Sequence, residues 1–402
     1  MWYKQADDCL SMWICFYCET LIDITLRIFY NEMGEKEKIK GHTMKMNHFN
    51  TKNLGTGFLY FYVHFATEVA CFFALARYTE SAPTMWLLSF AYDMLAFAPQ
   101  SIFGYLSDRF RKLSFGVAGL VLLGAALILQ AYTSWTFVSL VILCLGNAFT
   151  HVNGAEVTLR TSNGSLSHSA IFVSGGSFGV VCGKLLGTGG APYWLVLLLV
   201  VTAIPFAVLA QMYLKDKAAC FDAVPCRAFQ YNNPRISKYL IILLSVIVVI
   251  VRGYMAYGIP ISWKKTTLQT VILFTFMGVG KAMGGVLADL FGIKKVALCS
   301  IALALPLLLC GNHHMIVSLV GVMLFSMTMS VTLGVLVSVL PKAPGLAFGF
   351  TTIGLFLGAV PVFFVKITSF AANCIMLSVL TAVCLVCLFI SIRKDEPHER
   401  VV

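Results

Sequence analysis

From residue 55 onward the chain is a near-unbroken succession of long apolar stretches separated by short polar breaks, and this pattern leaves few folds open to it. The hydrocarbon core of a bilayer is about 30 Å thick, so at about 1.5 Å of rise per residue a crossing helix needs about 20 apolar residues. Twelve stretches qualify: 55–77, 84–105, 113–131, 134–154, 168–187, 192–213, 238–259, 267–288, 296–311, 315–340, 345–365 and 372–391. The ninth is short and carries Pro306, so its ends are the least defined. Composition points the same way: 59% of residues are apolar and 12% charged, with a mean hydropathy of +0.84. Soluble domains carry about 25% charged residues, so a water-soluble globule is excluded. The expected fold is an all-α membrane protein of twelve crossings.

One short motif occurs twice. Gly104-Tyr105-Leu106-Ser107-Asp108-Arg109-Phe110-Arg111-Lys112 returns 181 residues later as Gly285-Val286-Leu287-Ala288-Asp289-Leu290-Phe291-Gly292-Ile293-Lys294-Lys295, each time at the end of an apolar stretch. Both copies resemble the G-x-L-A-D-R-x-G-R-R loop signature of the major facilitator superfamily, found between the second and third helices of each six-helix half. The second copy matches better, because the first lacks the second glycine and places Arg111 directly after Phe110. The resemblance covers roughly residues 50 to 395 and implies two pseudo-symmetric six-helix bundles. The divisions expected are an N-terminal extension over 1–50, a bundle over 51–214, a cytoplasmic linker over 215–237, a second bundle over 238–392 and a tail over 393–402.

The net charge of +11 reads first as a topology signal. With both termini in the cytoplasm, the cytoplasmic loops after residue 51 carry sixteen Lys and Arg, against four on the other side: Arg77, Lys264, Lys265 and Lys366. The positive-inside rule favours that orientation in a plasma (inner) membrane. No basic patch interleaved with aromatics is present, so nucleic acid is not an expected partner.

Charged residues within apolar spans are costly, about 2.5–3.5 kcal/mol each at mid-bilayer on insertion scales, and so point to function. His64 and Glu68 lie four apart near the middle of the first span, on one helical face, and together titrate through the physiological range. Asp93 sits near the middle of the second span; His151, Asn153 and Glu156 crowd the end of the fourth; Lys184, Arg252 and Lys281 fall in the fifth, seventh and eighth. The family resemblance implies that the first, fourth, seventh and tenth helices line a central cavity. That favours His64, Glu68, His151, Asn153 and Arg252 as cavity residues, and together with Asp93 they are the candidate substrate or coupling residues. Glu68 and Arg252 lie at similar depth, which makes them a candidate gating pair. Lys184 and Lys281 can also snorkel to an interface.

For the loop signature, Gly104, Asp108, Arg109, Arg111, Gly285, Asp289, Gly292 and Lys294, the resemblance implies a conformational role, in which the carboxylates tie the loop to adjacent helix ends. An anion is stabilised at a helix N-terminus by about 0.3–1 kcal/mol, and by up to about 2 kcal/mol when partly buried. The bland reading makes the basic residues topology markers.

Glycines add a second repeat. Gly175, Gly179, Gly183 and Gly187 recur at steps of four in the fifth span, and Gly175 and Gly179 correspond to Gly354 and Gly358 in the eleventh. Small residues at this spacing let helices approach closely in lipid. They are read as packing glycines, or alternatively as a surface on which one bundle slides against the other. The family's antiporter pattern G-x-x-x-G-P-x-x-G-G is met at Gly175, Gly179 and Gly183, but Val180 and Lys184 replace its proline and last glycine.

Of the thirteen cysteines, Cys384 and Cys387 have C-x-x-C spacing inside a span without a nearby histidine, which reads as apolar packing; no metal or cofactor is expected. Residues 9–30 are apolar but carry Glu19, Asp23 and Arg27, unlike a signal peptide. They read as an interfacial helix, as an over-extended start with Met44 or Met46 the natural first residue, or as a thirteenth span. There is no G-x-S-x-G, G-x-x-x-x-G-K-S/T or H-E-x-x-H, so enzymatic or ATP-driven chemistry is not expected. The reading is a monomeric secondary transporter of a small molecule, coupled to a proton or another ion. The alternatives are a transport-inactive sensor or partner subunit and, less favoured, an intramembrane enzyme.

Overall fold

The structure is a computed structural model that describes residues 55–78, 85–110, 114–216, 229–364, 367 and 369–393. The extension over 1–50, Arg111, most of the linker and most of the tail lie outside the described residues. The described helices are α1 (Gly55–Tyr78), α2 (Met85–Phe97), α3 (Gln100–Arg109), α4 (Phe115–Tyr132), α5 (Thr136–Thr161), α6 (Ser167–Thr188), α7 (Tyr193–Asp216), α8 (Lys238–Gly258), α9 (Thr267–Phe291), α10 (Ile293–Cys310), α11 (Met315–Ser326), α12 (Thr328–Val339), α13 (Pro344–Phe364) and α14 (Phe370–Ser391). No strand occurs among the described residues. The extended pairing there is an isolated bridge between Asn232 and Ile392.

Among the described residues, eleven segments are long and apolar enough to cross a membrane, with α11 and α12 together forming one of them, Met315–Val339. The twelfth crossing is α2 followed by α3. Pro99 separates them: it has no amide hydrogen to continue the ladder, which ends with Ala98 donating to Met94 at 3.3 Å. Local chemistry sets the other ends. Thr266 and Gln269 form a reciprocal capping box at the start of α9, and the hydroxyl of Ser237 accepts from Leu240 at the start of α8. Gly292 has φ +97°, which lets α9 stop and α10 begin at once. That is the physical reason for the second glycine of the repeated motif.

Glycine packing holds each half together. A Cβ on Gly175, Gly179 or Gly183 would lie 2.3, 2.5 and 2.5 Å from the carbonyl oxygens of Phe61, Phe65 and Val69, so α6 rests directly on the backbone of α1. In the other half a Cβ on Gly358 would lie 2.2 Å from the Ile250 oxygen, and one on Gly354 would be 3.1 Å from the Val249 side chain, setting α13 on α8. These stripes therefore lie within each half and are not a sliding surface between halves. The halves meet elsewhere. Gly104 on α3 faces the Gly345 oxygen of α13, and Gly285 on α9 faces Leu166 and Ala170 of α6.

Gly179→Ala is expected to lower the melting temperature sharply, because overpacking a tight contact costs about 1–3 kcal/mol and the neighbours here are backbone and the Glu68 Cβ. Gly55→Ala, where a Cβ would meet nothing within 4 Å, is the control. Equal melting of the two variants would overturn the packing account.

Candidate functional site

Two structures stand out, one in the middle of the first half and one where the halves meet. The first is built by α1, α5 and α6. His64 and Glu68 are successive turns of one face of α1, while Asn147 and His151 are successive turns of one face of α5. All four are buried, and they converge. His151 Nε2 lies 3.1 Å and His64 Nε2 3.7 Å from the same Glu68 Oε1, to which Asn147 Nδ2 also donates at 3.4 Å. Asn147 is anchored in turn against the Tyr92 hydroxyl at 3.1 Å.

The other nitrogen of each ring decides what this cluster can hold. His64 Nδ1 is 2.9 Å from the Phe172 carbonyl oxygen, and His151 Nδ1 is 2.9 Å from that of Asn147. A carbonyl only accepts, so both rings donate from Nδ1 and a neutral ring presents its Nε2 lone pair to Glu68. An ionised Glu68 is also an acceptor. Without a further cation, three acceptors would face one another in a site shielded from water; one proton between His151 and Glu68 removes the conflict. Glu68 Oε2 is buried and has no hydrogen-bond partner, so the carboxylate keeps a second acceptor open. The ligand atoms of His64, Glu68 and His151 lie within 4.8 Å of one another, a spacing that also suits a single bound cation.

The remaining predicted residues are distributed differently. Asn153 faces away from the trio and accepts from the Tyr60 hydroxyl. Asp93 is half-buried on α2 and senses the charge of Glu68. Arg252 is buried on α8 and forms no ion pair with Glu68. Lys281, half-buried on α9, lies within electrostatic reach of both Glu68 and Arg252, whereas Lys184 is exposed. Asn147 was not singled out by sequence, although its position four residues before His151 carried the signal.

The second structure is a pair of clasps at the end of the bundle that carries the repeated motif. Asp108, at the end of α3, accepts from the backbone N–H of Gly345 at 3.1 Å and Leu346 at 2.9 Å, in the first turn of α13. Asp289, near the end of α9, accepts from the N–H of Leu166 at 2.8 Å and Ser167 at 2.9 Å, where α6 begins, and from the Ser165 hydroxyl at 2.6 Å. Each aspartate thus caps a helix N-terminus in the opposite half, where unpaired amides and the helix dipole favour an anion.

The two clasps differ in how charge is balanced. Arg160 donates to Asp108 Oδ1 at 3.0 Å and to Glu156 Oε1 at 3.0 Å, while Ser107 donates to Glu156 at 2.5 Å. His151 and Glu156, neighbours in sequence, therefore serve two separate structures. Arg109 is exposed and reaches Tyr105, and Lys294 reaches the carbonyls of Phe389 and Ile392 at 3.3 and 3.4 Å. Beside the Asp289 clasp, the Tyr231 hydroxyl donates to the Gly164 carbonyl at 2.7 Å; burial raises its pKa, so it stays a donor. The Arg393 N–H donates to the Tyr231 carbonyl at 2.9 Å, which straps the segment before α8 to the end of α14.

No family model matches the chain, and no curated protein matches it by sequence. Solved structures do match. The fucose:proton symporter FucP of E. coli superposes with a TM-score of 0.61 at 14% identity, over 85% of this chain and 99% of that one. A structure of FucP in the outward conformation gives a TM-score of 0.57 at 12% identity, over 85% and 99%. The human organic anion transporter TETRAN gives a TM-score of 0.52 at 14% identity, over 84% and 98%. At this identity the likeness establishes the fold, which is that of the major facilitator superfamily transporters: a multi-pass membrane protein of twelve crossings.

Proposed function

We propose that the chain is a secondary active transporter, acting as a monomer, that moves a small polar solute by alternating access and is driven by a proton held among His64, Glu68 and His151. The observation that carries this reading is the convergence of three acceptors on one buried point, with both Nδ1 protons committed to backbone carbonyls. Such a site repels itself when empty and is relieved by a single proton. The fold neighbour FucP, a fucose:proton symporter, lends support from a chain with the same architecture.

In this reading the moving bodies are 51–214 and 238–392, joined by 215–237, in a plasma (inner) membrane with both termini cytoplasmic. The Asp108 and Asp289 clasps close the cytoplasmic end, and their release opens it. Lys281, on the second half and within electrostatic reach of Glu68, favours a solute with anionic character.

The test is reconstitution into proteoliposomes with a solute chosen by thermal-shift screening of organic acids, sugars, amino acids and nucleosides. An inward pH gradient should drive accumulation that a protonophore collapses and a metal chelator leaves unchanged. A solute that binds but never crosses would make the chain a sensor. Loss of accumulation on chelation would make the bound cation a metal.

A further inference from the structure

Arg252 sits in the interior of the second half with no acid to neutralise it. It is 6% exposed, its Nη1 is buried without a hydrogen-bond partner, and no ion pair involves it among the described residues. Glu68 is engaged by His64 and His151, Asp108 and Glu156 by Arg160, and Asp289 by the start of α6, while Asp93 on α2 forms no ion pair with Arg252. Arg252 lines a small cavity among α8, α10, α11, α12 and α14, whose walls include Met255, Leu305, Phe325, Thr381 and Cys384. Thr381 does not compete for an occupant's charge, since its hydroxyl proton goes to the Leu377 carbonyl at 2.7 Å.

We infer that this cavity binds a small monovalent inorganic anion of chloride size, held by the charge of Arg252, which lines it. An uncompensated cation in an apolar enclosure is strongly disfavoured, and removing a neutralising charge from such a site is costly. Water would satisfy the donor but not the charge. The cavity accepts about one water-sized occupant, which excludes carboxylate solutes, sulfate and phosphate. The anion therefore belongs to the second half, apart from the His64–Glu68–His151 trio, and neutralises a helix that would otherwise carry bare charge through every conformational cycle.

The test uses the full chain in detergent, melted in sodium chloride, bromide, gluconate and sulfate at equal ionic strength. Chloride and bromide should raise the melting temperature saturably by several degrees over gluconate and sulfate, because an anion that binds only the folded state stabilises it by mass action. Arg252→Gln should abolish that difference, and Lys281→Gln, which removes the nearby cation outside the cavity lining, should keep it. If Arg252→Gln does not fold, Cys384→Leu, which fills the cavity and retains the guanidinium, should weaken the chloride response. Equal melting in all four salts would mean that only water occupies the cavity and would overturn the inference, as would a chloride response that survives Arg252→Gln or Cys384→Leu unchanged.

Discussion

Glu68→Gln should abolish accumulation driven by a pH gradient while leaving exchange of solute across the membrane intact. One pH unit stores about 1.4 kcal/mol per proton, so one proton per solute supports about tenfold accumulation at equilibrium. The glutamine amide can donate to His151 Nε2 from the position now facing it at 3.1 Å, which reproduces the hydrogen bonding of the proton-loaded site without a removable proton. The variant is then fixed in a loaded-like state. Counterflow needs no net proton movement and should persist at equal protein level, whereas the accumulation ratio should fall from about tenfold to about one. Accumulation equal to the parent's would remove Glu68 from coupling. Loss of counterflow as well would show that the carboxylate binds solute.

The crossings were readable in the sequence because hydropathy and bilayer thickness fix them, and helix ends moved by only a few residues. Span four is the largest exception, running to Thr161 because Glu156 and Arg160 pair one turn apart and lie buried between helices. What sequence could not resolve was partner choice. Spacing put His64 beside Glu68, but nothing linear brings His151 to the same carboxylate from 83 positions away. The same limit explains Asn153, which shares the end of α5 with His151 but turns on the helix toward Tyr60. Arg252 and Glu68 matched in depth, yet depth does not set azimuth, and Arg252 points into its own half. The clasp aspartates were legible through the motif. Their partners, backbone amides at Gly345 and Leu166, carry no side-chain signature at all.

Arg160 is the residue whose loss should most change the balance between the clasped and open states of that end of the bundle. It is buried and bridges Asp108 and Glu156, so Arg160→Ala removes the cation that both buried carboxylates face in the clasped state. Removing one partner of a buried ion pair costs roughly 3–5 kcal/mol, which by the same conversion moves the clasped-to-open equilibrium by about 100-fold or more. The Asp289 clasp has no such charge chain among the described residues; it relies on two amides and a hydroxyl. Asp289→Asn retains one acceptor oxygen for those donors and should weaken its clasp by less, about 1.5–3 kcal/mol for the loss of charge-assisted bonds. A cysteine at Ser169, which is fully buried in the first turn of α6 next to the clasp residues Leu166 and Ser167, reports the opening. In a background stripped of reactive native thiols, alkylation of that cysteine should be much faster in Arg160→Ala than in the parent, with Asp289→Asn between them. An alkylation rate unchanged by Arg160→Ala would mean that the Asp108 clasp is held by the amides of α13 alone, and that the buried charge chain plays no part in closing that end of the bundle.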